Sequence, residues 1–143
     1  MIEQKPLHDG LFSWPDSDPE ILGSRCNECG QHAFPPQNSC RNCTGNNTSV
    51  VGLGREGTLW TWTIQTFMPK DPYLTDETPE TFVPYGVGYV ELECGLRVES
   101  RLRQNTTADL AIGMPMTLEI IPVRKDDQGA ELVTFQFTKK EPN

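Results

Sequence analysis

The chain has 143 residues, 12 of them basic and 20 acidic, for a net charge of −8. That balance weighs against nucleic acid and against an anionic membrane surface, since both draw on an excess of Lys and Arg. At 36% hydrophobic and 22% charged it reads as globular, long enough for one domain or for a small module on a modest one.

Residues 1–24 are polar, with Leu11, Phe12 and Trp14 scattered among them. The opening Met1-Ile2-Glu3-Gln4-Lys5-Pro6 lacks the apolar run of a secretory signal, and no stretch approaches the ~20 apolar residues that span a bilayer. A cytoplasmic, reducing location is expected, without membrane contact. Ser17-Asp18-Pro19-Glu20 sets a capping hydroxyl, an early proline and an acid in the order that starts a helix, and Gly23 would stop it. Residues 1–24 are therefore predicted as a short N-terminal helical segment.

Residues 25–50 hold four of the five cysteines. Cys26-Asn27-Glu28-Cys29-Gly30 and Cys40-Arg41-Asn42-Cys43 form two C-x-x-C pairs. A two-residue gap lets one tight turn aim two thiolates at one metal, and two such turns complete a tetrahedron. Gly30 suits the unusual backbone angles of such a turn. This predicts a structural zinc on Cys26, Cys29, Cys40 and Cys43 in a rubredoxin-like zinc ribbon, since a closed site cannot activate water. His32 lies between the pairs, but four thiolates already fill the tetrahedron. An iron–sulfur electron carrier is the competing use of the same thiolates.

Residues 51–143 carry almost all the strand-like sequence. Segments 58–64, 85–92, 96–103, 116–123 and 132–138 are the predicted strands. In the first, period-two alternation puts Trp60, Trp62 and Ile64 on one face. Gly86 and Gly88 suggest a bend or a close backbone approach in the second, and Gly95 a tight hairpin to the third. Residues 107–113 have room for one or two helical turns. Five antiparallel strands with such an interruption after the third fit an OB-fold barrel; a single sheet with an open face is the alternative. The longest loop, 67–84, carries four prolines and several acids.

No catalytic set is legible. The two histidines, His8 and His32, lie outside the strand region, and Cys94 sits at the hairpin without a group to activate it. Glu91 and Glu93 have same-face spacing that a solvated strand explains equally well. No phosphate-cradling glycine loop is present, and a stand-alone thioesterase is the poorest reading. A ligand site is the better candidate: Trp60 and Trp62 on one strand face, with Arg97 and Arg101 (and Arg103) on another, resemble the aromatic and basic platforms of OB barrels. Core tryptophans and solvated arginines would produce the same pattern. A single-stranded nucleic-acid binder is the alternative function.

Taken together, Arg25-Cys26-Asn27-Glu28-Cys29-Gly30, Phe34-Pro35-Pro36, Cys40-Arg41-Asn42-Cys43 and the barrel opening Gly57-Thr58-Leu59-Trp60-Thr61-Trp62-Thr63 resemble the zinc-ribbon/OB-fold family of acyl-CoA-associated proteins. The stretch from Phe82 to Leu102 looks like the branch paired with thiolase-like steroid side-chain aldolases. The resemblance implies a non-catalytic partner subunit in a hetero-oligomer (a heterotetramer) with a thiolase-fold enzyme. That enzyme would cleave a β-hydroxyacyl-CoA by retro-aldol reaction, this chain supporting folding and docking and sharing the acyl-CoA ligand. Phe82, Val83, Pro84 and Tyr85, apolar at the end of an acidic loop, are the expected partner contacts, unless they pack on the barrel rim. Four thiolates and one divalent zinc take the charge from −8 to −10.

Overall fold

A computed structural model describes residues 3–70 and 77–141. Among these residues every regular element is a strand: β1 (Gln4–Pro6), β2 (Leu22–Cys26), β3 (His32–Ala33), β4 (Thr48–Gly52), β5 (Glu56–Gln65), β6 (Tyr85–Leu92), β7 (Arg97–Leu102), β8 (Pro115–Lys125) and β9 (Glu131–Lys139). Two sheets result. The ribbon sheet runs β3-β2-β4, and the larger one runs β1-β9-β7-β6-β5-β8 with β8 also paired to β9. That last pairing closes β5 to β9 into a five-stranded OB barrel and removes the open-faced alternative.

The barrel strands form because their inward positions alternate apolar. Val90, Leu92, Val98 and Leu102 are buried while Tyr89, Glu91, Arg97 and Glu99 face out. Leu59, Met116, Leu118 and Phe137 complete the interior, joined by Ile21 and Leu53 from the ribbon junction. Gly88 meets the expectation of close approach: a Cβ there would lie 2.5 Å from the Thr61 carbonyl and 3.0 Å from Leu59 Cδ1. Gly95 makes the tight hairpin at φ +96, its N–H donating to the Leu92 carbonyl at 2.9 Å.

Three expectations fail. The N-terminal helix is absent: Phe12 instead bridges Ile21, the Ser13 N–H donates to the Glu20 carbonyl at 3.0 Å, and the chain doubles back into β2. Of the residues that suggested a helix start, Asp18 is drawn to Arg55 and Glu20 to Gly54, and neighbouring side chains bond within the turn. Asp16 Oδ1 accepts from the Asp18 N–H, Ser13 Oγ from the Glu20 N–H, and Glu20 Oε1 from the Gly54 N–H. Too few residues separate Ser17 from Gly23 to offset helix nucleation against these bonds. Residues 107–113 make turns rather than a helix, with the Asp109 N–H donating to the Thr106 carbonyl at 3.1 Å. Finally, β5 gains a residue against β6 between Leu59 and Thr61. This bulge puts Trp60 outside, while Trp62 and Ile64 turn inward against the core. The two tryptophans therefore do not share a face.

The ribbon is fixed to the barrel at several points. The Ile21 N–H donates to the Gly54 carbonyl, and the Leu53 N–H donates back to the Ile21 carbonyl. Phe34, ahead of two prolines, packs edge-on against Phe135 of β9 at 6.1 Å. Arg55 donates to the Pro19 and Leu118 carbonyls and pairs with Asp18 at 3.1 Å.

Candidate metal centre and outer barrel face

The metal centre is built by the two tight turns. The Gly30 N–H donates to the Cys26 carbonyl and the Thr44 N–H to the Cys40 carbonyl, both at 2.9 Å. Gly30 (φ +82) and Thr44 (φ +62) take the left-handed conformation after each pair. As a result Cys26, Cys29, Cys40 and Cys43 converge, all four Sγ atoms lying within 4.8 Å of one another. The Cys26–Cys43 and Cys29–Cys40 sulfurs are 3.5 Å apart. A tetrahedron with ~2.3 Å zinc–sulfur bonds has edges of about 3.8 Å, so the donor set fits zinc in size and chemistry.

The surroundings favour a thiolate at Cys29 and Cys26 and oppose one at Cys43. Asn42 Nδ2 donates to Cys29 Sγ at 3.6 Å, and together with the Gln31 N–H it pulls the Cys29 thiol down to about 6. The Cys29 and Glu28 N–H groups lower Cys26. At Cys43 the Gly45 N–H lowers the thiol, but the adjacent Cys26 thiol and burial outweigh it and push Cys43 up to about 12. Without metal the cluster therefore retains protons that zinc displaces on binding. His32 is half-buried in β3, outside the thiol cluster.

The remaining candidates divide between two faces. Trp60 is 46% exposed on the outer face of β5, with the Arg97 guanidinium 3.9 Å over its ring and Tyr89 edge-on at 6.2 Å. Arg101, on the same face of β7, lies 4.2 Å over the Tyr85 ring. Trp62 belongs to the inner side. Arg97 also pairs with Glu91 at 3.0 Å and Arg103 with Glu119 at 3.3 Å.

Residues 71–76 of the long loop lie outside the described residues. Phe82 is half-buried, edge-on to Tyr85 at 5.9 Å, while Val83 is 56% exposed and its N–H donates to Glu77. Pro84 is exposed, and its carbonyl accepts from Asn105 Nδ2. Phe82, Val83, Pro84 and Tyr85 thus run on into the Arg101 end of the outer face. Sequence reasoning missed that the ribbon brings His32 beside Glu93 and Cys94, around a hollow of about 410 Å³. Their separation in sequence carries no signal of it. No hydrogen bond joins His32 to Cys94 among the described residues.

Four thiols on paired tight turns, ahead of a closed five-stranded barrel, define a zinc-ribbon/OB-fold protein. Two family models match it, the rubredoxin-like zinc ribbon domain of ChsH2 over residues 14–48 and the C-terminal OB-fold domain of ChsH2 over residues 50–120. The chain belongs to this ChsH2 zinc-ribbon/OB-fold family, and its zinc is structural.

It is 29% identical over 143 residues, 96% of this chain and 92% of the relative, to the benzoylsuccinyl-CoA thiolase subunit BbsA of Thauera aromatica. It is 26% identical over 119 residues, 82% of this chain and 79% of the relative, to a DUF35 domain-containing scaffold protein of Methanocaldococcus jannaschii. Among solved structures, the Ltp2-ChsH2(DUF35) aldolase shares the fold with a TM-score of 0.63 at 23% identity, over 84% of each chain.

Proposed function

We propose that this chain is a non-catalytic partner subunit of a thiolase-fold enzyme acting on acyl-CoA thioesters. The observation that carries this reading is the likeness to a thiolase subunit along 96% of the chain, ribbon and barrel together. The finer reading is an aldolase complex, in which the partner cleaves a β-hydroxyacyl-CoA by retro-aldol reaction in steroid side-chain degradation. In that complex this chain supports folding, docks the enzyme in a cytoplasmic heterotetramer and lines part of the acyl-CoA channel.

The outer face suits docking. Trp60, Tyr89, Tyr85, Arg97 and Arg101 are residue types that anchor interfaces, and exposed Val83 adds apolar area beside them. The metal has a structural part: it stiffens the two turns so that the ribbon presents one shape.

Co-expression with a thiolase-fold enzyme from the same genome tests the reading. The two chains are expected to co-elute, with lyase activity in the complex and none in this chain alone. Val83→Asp combined with Trp60→Ala is expected to weaken the complex at least about tenfold. Two chains that elute separately, the enzyme equally active with or without this one, would sink the proposal.

A further inference from the structure

On the outer face of β5, β6 and β7, the chain's own arginines serve two of three aromatic rings. Arg97 lies 3.9 Å over Trp60, and its Nε donates to Glu91 Oε2 at 3.0 Å, which completes a set of ring, cation and carboxylate. Arg101 lies 4.2 Å over Tyr85. Tyr89, on the same face of β6, carries no cation among the described residues. It is 40% exposed and meets Trp60 edge-on at 6.2 Å. Opposite Tyr89 in the register stands Glu99 of β7, exposed and without a hydrogen bond or ion pair among the described residues.

Tyr89 and Glu99 line one hollow of about 260 Å³ with Thr61, Thr63 and Val87. The register makes it: β6 sets Tyr89 opposite Thr61 and Val87 opposite Thr63, so small side chains stand beside the ring. The hollow thus offers an aromatic wall, an aliphatic patch and one carboxylate that no cation neutralises. Ring quadrupole and carboxylate both attract positive charge. A guanidinium uses the two together, lying flat on the ring while it forks onto the carboxylate oxygens. A lysine ammonium, compact and strongly hydrated, gains less from the same place. The chain's net charge of −8 adds a long-range attraction for that cation.

We propose that this hollow is the socket for one arginine side chain of the partner subunit, its guanidinium stacked on Tyr89 and paired with Glu99. The socket rests on the reading of the outer face as a docking surface and names the chemistry at its centre. Arg97 and Arg101, each held on its own ring, flank the socket and repel a second base. The partner surface that fits is therefore a single arginine with neutral or acidic neighbours, not a basic patch.

The test uses the full zinc-loaded chain and the thiolase-fold enzyme, with Kd measured by titration calorimetry at several salt concentrations. Glu99→Gln is expected to weaken binding at least about tenfold and to flatten its salt dependence. Tyr89→Leu is expected to weaken it about fivefold, while Tyr89→Phe, which keeps the ring, stays within about twofold of the native chain. Asp127→Asn removes one charge from the β8–β9 turn and is expected to leave Kd unchanged. A native Kd in Glu99→Gln would overturn the socket and leave the docking reading standing. Tighter binding by Glu99→Gln would overturn it too, in favour of an apolar occupant, and equal losses in Glu99→Gln and Asp127→Asn would reduce it to net charge. Carbodiimide joins carboxylates to amines and not to guanidinium groups, so a Glu99 cross-link to a partner lysine would overturn the arginine. A native chain that fails to bind the enzyme removes the socket and the docking reading together.

Discussion

Trp60 stands outside the barrel because one extra residue enters β5 ahead of Thr61, and that single insertion reassigns two tryptophans. Trp62 packs against the core while Trp60 holds a guanidinium and a tyrosine edge at the surface. Their energetic roles should differ accordingly. Trp62→Ala is expected to cost about 2–3 kcal/mol of stability through the cavity it leaves. Trp60→Ala should cost under about 1 kcal/mol while weakening docking. Urea midpoints of the two variants separate these outcomes, and equal losses would contradict the bulge. Strict alternation had placed both rings together, and neither glycine nor proline sits at the insertion to signal it. The metal ligands were legible for the opposite reason: paired spacing states the chemistry directly, before any fold is known.

At the scale of elements, the five barrel strands were readable within a few residues because each buries one apolar face. β1 was not. Gln4, Lys5 and Pro6 are polar or short, and they form a strand only because β9 offers an edge, to which they pair in parallel from Gln4↔Glu131 to Pro6↔Val133. The same local reading produced the missing helix: Ser13 bonds within the 13–20 turn instead, and Asp18 and Glu20 of the expected helix start reach Arg55 and Gly54.

Lys5 clips β1 to the 125–130 turn through Asp126 at 2.7 Å. The Lys5 hydrogen bond lowers the Asp126 carboxyl, and the Asp126 hydrogen bond raises the Lys5 ammonium. A lowered acid contributes stability that is present above its ordinary pKa of 3.8 and lost as pH falls through the lower folded value. A raised lysine contributes below its ordinary 10.5, and that is lost as pH rises through the higher folded value. The clip therefore holds across neutral pH. Hydrogen exchange at the Glu131 and Leu7 amides, which bond to Glu3 and Val133, should accelerate in Lys5→Ala at pH 7, beyond the intrinsic rate. The variant and the native chain should converge once acid has protonated Asp126.

At the scale of the whole molecule, the metal-holding ribbon and the barrel core meet at the residues that join them. The thiols hold only the ribbon turns, yet Ile21 and Leu53, which flank β2 and β4, sit in the same cluster as Leu59 and Phe137. Chelating the zinc, or Cys40→Ser, is expected to abolish amide protection in β2 to β4 while β5 to β9 stay folded with a lowered thermal midpoint. Hydrogen exchange read by mass spectrometry distinguishes this from loss of protection everywhere, the outcome for a single cooperative unit. A change in composition near residue 50 parts the cysteine-rich stretch from the strand-rich one, although β4 runs across it. The junction was not legible, since contacts such as Phe34 against Phe135 join residues far apart in sequence.

The closing edge of β9 has two tenants. β7 meets it at Leu102↔Phe137, near one end, and β1 covers Glu131 to Val133 at the other. Gln4, Lys5 and Pro6 are thus a stopper on a row of hydrogen-bonding groups that would otherwise be available to any passing strand. A chain trimmed to begin at Leu7 would exchange a tidy terminus for an adhesive one. An affinity handle placed past Lys139 leaves that stopper in its seat.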